Sequence, residues 1–330
     1  MNILRKIKNF SHVCIQCHDI PDSDTIGAAF GVYQYLTNCG VKADMVYTGE
    51  EPIKRYNLKL LLSSCHIPLN YVHSLPAETD LLLVVDGQYG NGNITPLEKP
   101  TASKTPQIAI IDHHMQVVPD NEWHLIKPDY QSCSTIIWEL LKEEGYPLFD
   151  DKKLCTALLY GLYIDTSMFT SLHTEVDTAM KHELSKHTTS LFSQLSKSNM
   201  SIGEMMIATD AMHNHYLDIE KRFVIISALK CEQPVLGVIG DFMIQVDLVN
   251  VCVTYTKKDD RYQFSIRSCN EKYPANKIAA YISDKIGSGG GHTSKGGGVI
   301  FADQIESVYG ETNIFDLIEK RLSEIMKVRK

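Results

Sequence analysis

Two apolar runs in this chain of 330 residues end abruptly in groups that are costly to bury alone. Leu81-Leu82-Leu83-Val84-Val85 stops at Asp86, and Ile108-Ala109-Ile110-Ile111 stops at Asp112-His113-His114. Unbroken apolar runs of this length suit strands of a parallel sheet covered on both faces, whereas a strand with one wet face alternates. Residues 12–17 read as another strand and 43–47 as a short one. Between them Ile26, Phe30, Tyr33 and Leu36 recur at near-helical spacing and Gly40 supplies a stop, predicting a helix over 25–39. Helices are also expected over 134–144 and 152–163, the latter leading into Asp165-Thr166. Strands alternating with helices predict an α/β fold: an N-terminal, mostly parallel sheet flanked by helices.

Further on the pattern changes. Residues 222–229 read as a strand, and 251–256 and 261–267 alternate apolar and polar residues around Lys257-Lys258-Asp259-Asp260, which predicts a hairpin. A helix is expected over 275–286, a strand over 299–301 and a last helix over 314–326. The length exceeds what one core usually supports. The expected division is a domain at 1–188, a linker at 189–215 and a smaller α/β domain at 216–330.

The formal net charge of −8 and pI of about 5.9 argue against long nucleic acid as the main partner, because phosphate neutralisation dominates that affinity. Small phosphorylated ligands stay open, since metals supply positive charge locally. The cysteines number nine and are scattered through apolar surroundings, the pattern of buried free thiols in a reducing compartment. Cys14 and Cys17 have C-x-x-C spacing, but on a strand they point to opposite faces. With no signal-peptide pattern and no membrane-length apolar run, a cytoplasmic protein without membrane partners is expected.

The chemistry concentrates near the expected strand ends. His18, Asp22 and Asp24 fall within seven residues on the loop after the first strand, with Pro21 fixing the backbone and Asp24 available to cap the next helix. In open parallel sheets, ligands bind beyond the carboxyl ends of strands, where this cluster, Asp86 and Asp112-His113-His114 all stand. Asp86 is the natural bridge between two ions, His113 a ligand, Asp112 its orienting partner, and His114 a phosphate or proton-transfer group; Asp165 completes the set. Carboxylates and imidazoles without thiolate suit a hard, six-coordinate ion. Two Mn²⁺ are expected, with Mg²⁺, Zn²⁺ or another divalent ion as alternatives. Such a pair serves phosphate-ester hydrolysis.

A second signal is Gly287-Ser288-Gly289-Gly290-Gly291-His292, continuing to Gly296-Gly297-Gly298. Glycines there would let backbone N–H groups approach phosphate, with His292 as a further donor; no P-loop spacing is present. Arg267 ends an alternating strand on the polar face shared with Gln263 and Ser265.

In this order the motifs resemble the DHH phosphoesterase superfamily, in its branch with a DHH-associated C-terminal domain, over nearly the whole chain. His18 to Gly27 matches its first motif with Ala28 in place of a serine. Asp86 is the second, Asp112-His113-His114 the third and Asp165-Thr166 the fourth; Arg267-Ser268 and Gly289 to His292 match the C-terminal motifs. The resemblance implies one ion on His18, Asp22 and Asp86, and another on Asp24, Asp86, His113 and Asp165. It implies Asp86, His113 and His114 as catalytic groups. It also implies a substrate held across an interdomain cleft by His114, Arg267, Ser268, Gly289, Gly290, Gly291 and His292. Two departures stand out: Gly87-Gln88-Tyr89 follows Asp86 in place of a Thr/Ser-rich run, and Thr293-Ser294-Lys295-Gly296 replaces an alanine-glycine pair.

The size and architecture look like the nanoRNase and 3′-phosphoadenosine 5′-phosphate phosphatase subgroup. The expected activity is therefore manganese-dependent hydrolysis of short oligoribonucleotides or small nucleotides by attack of a metal-bridging hydroxide, and a homodimer is compatible with it. Alternatives are an exopolyphosphatase or pyrophosphatase-like hydrolase, a phosphodiesterase of cyclic-dinucleotide products such as pApA, and a non-catalytic nucleotide sensor.

Overall fold

The apolar runs form the centre of a six-stranded sheet, described by a computed structural model covering residues 2–49, 51–90, 93–98, 105–197 and 200–326. The chain divides into two compact units, 1–199 and 200–330. In the first, the order is α1 (Ile3–Ile7), β1 (His12–Gln16), α2 (Ser23–Asn38), β2 (Lys42–Tyr47), α3 (Tyr56–Cys65), β3 (Leu69–Tyr71), β4 (Leu81–Val85), β5 (Gln107–Asp112) and β6 (His124–Ile126). Then come α4 (Cys133–Glu143), α5 (Lys152–Asp165), α6 (Glu175–Leu184) and α7 (Leu191–Leu195).

All neighbouring strands of this sheet are parallel, in the order β3-β2-β1-β4-β5-β6. The order reverses between β1 and β4, which is where an open sheet forms its ligand crevice. Register aligns the three chemical clusters. Gln16 pairs with Val84 and Val85 with Ile111, so His18, Asp86 and Asp112 leave adjacent strands at one level. Every residue of β1 and β4 is buried. One face packs Ile15, Leu83 and Ile111 against Ile26, Phe30, Ile137 and Leu158 of α2, α4 and α5. The other buries Cys14, Val46 and Leu82 beneath Leu75 and Leu97. Cys14 and Cys17 thus join different cores, and both are free thiols.

The second unit contains α8 (Ile202–His213), β7 (Tyr216–Asp218), β8 (Phe223–Ala228), α9 (Gln233–Met243), β9 (Val251–Lys258), β10 (Arg261–Ser268), α10 (Ala275–Ser283), β11 (Gly287–Gly291), β12 (Lys295–Phe301), α11 (Ala302–Tyr309) and α12 (Ile314–Ile325). Its sheet runs β11-β12-β10-β9-β8-β7, antiparallel except for β8 with β9. Phe264 and Ile266 pack with Ile278 and Leu317 on one face. Val224, Ile226 and Cys252 pack with Leu236 and Ile239 on the other. The stretch expected as a linker, 189–215, carries α7 and α8, and α8 opens with a capping box between Ser201 and Glu204. No described helix is long and apolar enough to cross a membrane.

The glycine-rich segment has a regular structure that its composition did not announce. It is a β-hairpin, β11 paired with β12. A Cβ on Gly289 would lie 2.6 Å from the carbonyl oxygen of Ala279, and one on Gly296 would lie 2.6 Å from that of Ala275. Both oxygens belong to α10, so these glycines let the helix backbone rest directly on the strands. Gly290 alone of this run faces open space within 4 Å.

Candidate metal centre

Asp86 sits one residue past β4 with φ of 61°, a left-handed conformation that aspartate tolerates better than most side chains but still at a cost. Its backbone N–H donates to the Ile111 carbonyl at 2.9 Å. The turn aims a carboxylate that is 2 % exposed between two groups of donors. Asp86 Oδ2 is 3.8 Å from His18 Nε2, which is 3.7 Å from Asp22 Oδ1. Asp86 Oδ1 is 3.3 Å from His113 Nε2, which is 3.4 Å from Asp165 Oδ2 and 3.9 Å from Asp24 Oδ2. Two sets result, His18-Asp22-Asp86 and Asp24-His113-Asp165, each with ligand atoms within 4.8 Å of one another. The predicted six side chains converge, with the two oxygens of Asp86 turned toward different sets.

Each ligand is aimed by a local device. Asp22 caps α2, its Oδ1 accepting from the N–H groups of Asp24 and Thr25. That corrects the expectation that Asp24 caps this helix. Asp24 instead accepts from the first N–H groups of α4, Cys133 at 2.6 Å and Ser134 at 2.9 Å, where a helix terminus favours negative charge. His113 Nδ1 donates to the Tyr130 carbonyl at 3.2 Å, which turns Nε2 toward the carboxylates. The expected partner of His113, Asp112, serves His114: its Oδ1 accepts from His114 Nδ1 at 2.8 Å and from the His113 backbone N–H at 2.8 Å. Asp165 is the final residue of α5.

Electrostatics show how poorly this cluster suits protein groups alone. Burial, reinforced by the charge of Asp86, pushes the Asp24 carboxyl up to about 7, although His113 pulls the other way. Burial and the charges of Asp24 and Asp22 push Asp165 well above the usual range. Burial would lower the His18 imidazole, but hydrogen bonding and charge from Asp22, with Asp86 and Asp19, outweigh it and raise it to about 9. His113 is raised well above its ordinary value by Asp86, Asp165 and Asp24, against the effect of burial. The residues therefore take up protons where cations are lacking. Asp86 Oδ1, sealed from solvent, makes no hydrogen bond among the described residues. Oxygen and imidazole donors in two sets around one shared carboxylate fit a pair of hard divalent ions.

The candidate residues of the second unit gather at one end of its own sheet. Ser268 N–H donates to the Ser294 carbonyl, and Arg267 stands opposite Lys295 in the ladder. The exposed His292 occupies the turn of the hairpin, beside Gly291. The face bearing Gln263, Ser265 and Arg267 is covered by α9 rather than open to solvent. Arg267 Nε donates to Asp241 Oδ1 at 2.5 Å, and a Cβ on Gly237 would come within 2.7 Å of its guanidinium.

Residues 12–162 match the model of the DHH family, N-terminal domain. This segment is a DHH-family domain. Over 316 residues, 95% of this chain and 63% of the relative, the sequence is 20% identical to the uncharacterized protein MJ1633 of Methanocaldococcus jannaschii. Over 170 residues it is 26% identical to the cyclic-di-AMP phosphodiesterase GdpP of Bacillus subtilis, covering 48% of this chain and 25% of GdpP. The chain spans less than two thirds of either curated relative. An exopolyphosphatase-related protein from Bacteroides fragilis shares the fold, with a TM-score of 0.76, 19% identity, and coverage of 98% of this chain and 96% of that one.

Within the DHH-family domain, sequence reasoning missed the supports. Tyr130, Cys133 and Ser134 act through backbone groups, which carry no sequence signal. Gln88 was visible only as a departure from the family pattern.

Proposed function

We propose that this protein is a manganese-dependent phosphohydrolase acting on short oligoribonucleotides or small nucleotides such as 3′-phosphoadenosine 5′-phosphate. The observation that carries the reading is Asp86, a buried carboxylate whose two oxygens face separate donor sets. In this reading His18, Asp22 and Asp86 hold one ion and Asp24, Asp86, His113 and Asp165 the other. When bound, such a pair activates water and stabilises the charge that develops on phosphate oxygens.

The chain's own groups do the rest. Asp86 and His113 fix the reacting centre. His114 donates Nδ1–H to Asp112, which fixes the ring that this reading assigns to a phosphate oxygen or to proton transfer. Arg267, Ser268, Gly289, Gly290, Gly291 and His292 are assigned to the substrate, Gly290 being the glycine with room for a ligand against its backbone. Small substrates suit a chain of net charge −8 better than long strands do. A dinucleotide derived from a cyclic dinucleotide is the second reading, favoured by the similarity to GdpP over 170 residues.

Purified protein with Mn²⁺ should turn over dinucleotide RNA, pApA or 3′-phosphoadenosine 5′-phosphate in preference to pyrophosphate and polyphosphate. Asp86→Asn should lower that turnover on the order of a thousandfold. Preference for polyphosphate would overturn the substrate class, and turnover of nothing in the panel would favour a nucleotide sensor.

A further inference from the structure

Beyond the ligands themselves, one fully buried side chain uses all of its hydrogen-bonding capacity on the segment that carries the His-His pair. Gln88 Nε2 donates to Asp112 Oδ2 at 2.7 Å and to the Met115 carbonyl at 3.2 Å. Its Oε1 accepts from the N–H groups of Val117 at 2.9 Å and Val118 at 3.3 Å. Gln88 is 0% exposed, so an amide here has no water to fall back on. It arrives there because Gly87 passes close to Ile94, where a Cβ would lie 2.7 Å from the Ile94 side chain.

Asp112 is then held from both sides. One oxygen takes Gln88, and the other takes His114 Nδ1 and the His113 backbone N–H. Its carboxylate can neither rotate nor leave without stranding a buried polar group, a loss that is costly in a dry site.

We propose that Gln88 is a positioning residue for His114, acting through Asp112, in the phosphate chemistry assigned above. The amide fixes the Asp112 carboxylate. The carboxylate fixes the ring in one orientation with the proton on Nδ1. The inference rests on the hydrolase reading for its catalytic consequence, but the geometry itself is tested without substrate.

Two substitutions separate the arms of the amide. Gln88→Glu keeps an oxygen acceptor for Val117 and Val118 and removes the donor to Asp112, while Gln88→Met removes both. Two readouts apply: steady-state kinetics with Mn²⁺ on dinucleotide RNA, and the side-chain ¹⁵N spectrum of histidines in the metal-free protein. Both variants should lower kcat roughly tenfold to a hundredfold, with KM and the number of Mn²⁺ bound unchanged. In the spectrum, the slowly exchanging His114 Nδ1–H signal should broaden or vanish. A Gln88→Met protein that keeps kcat and the His114 signal would overturn the proposal, since it has no donor for Asp112 in any protonation state. If the wild type hydrolyses nothing, the spectrum still decides the positioning claim, so the two failures are distinguishable.

Discussion

The carboxylate–imidazole cluster of the first unit and the glycine hairpin of the second both read as functional motifs in the sequence, yet the fold treats them oppositely. The structure buries the Asp86 and Asp24 carboxyls side by side, sets the half-buried Asp165 next to them and gives Asp86 a left-handed backbone. Neither feature helps the chain fold, since burial of charge is unfavourable unless it is paired or bound to metal. At Gly289 and Gly296 packing is enough to require glycine, because α10 lies where a side chain would be. A motif points to chemistry most strongly where the fold accepts a cost to keep it.

The contrast can be broken most forcefully by pH. In the metal-free protein His18 is raised from 6.5 to about 9 and Asp24 from 3.8 to about 7. Both folded values lie above the unfolded ones. Their stabilising contributions are therefore full at low pH and are lost as pH rises through about 7 for Asp24 and about 9 for His18. Ions need both groups deprotonated, so each proton displaced makes affinity rise about tenfold per pH unit. Between pH 6 and 8, Mn²⁺ affinity should rise on the order of a hundredfold at the set containing His18 and about tenfold at the set containing Asp24, and the Mn²⁺-induced rise in Tm should grow with it. Calorimetric titration and thermal melts check this; affinity independent of pH would remove the distinction between the two regions.

The hairpin gives smaller effects, on stability. Gly289→Val should destabilise by about 1–3 kcal/mol through overpacking against α10, read as a lower denaturation midpoint. Its neighbour should behave differently: Gly290→Ala should change stability by no more than about 0.5 kcal/mol, while altering KM if this position meets substrate. Equal losses at both sites would show that packing does not separate them.

Much of this was legible in advance because the apolar runs and their terminal charges obey strong local rules. β1 and β4 follow from continuous burial and β5 from an apolar run whose last residues are buried, and register then places His18, Asp86 and Asp112 side by side. The matched DHH-family segment carries these motifs in one domain. What the sequence hid is of two kinds. Short elements such as β3, β6 and β7 lack enough residues for a periodic signal. Partnerships made by backbone groups, such as Tyr130 with His113 or the start of α4 with Asp24, depend on tertiary placement. The hairpin is ambiguous in the sequence for a related reason: glycine serves close packing and ligand approach equally well, and only the position of α10 shows which glycines are packed.

The central claim is that Asp86 is shared by two cations. Anomalous diffraction from crystals grown with Mn²⁺ tests it directly. Two peaks about 3.5–4 Å apart should appear, one beside His18 and Asp22 and one beside Asp24, His113 and Asp165, with Asp86 contacting both. A single peak, or a pair with Asp86 bound to neither, would contradict the account.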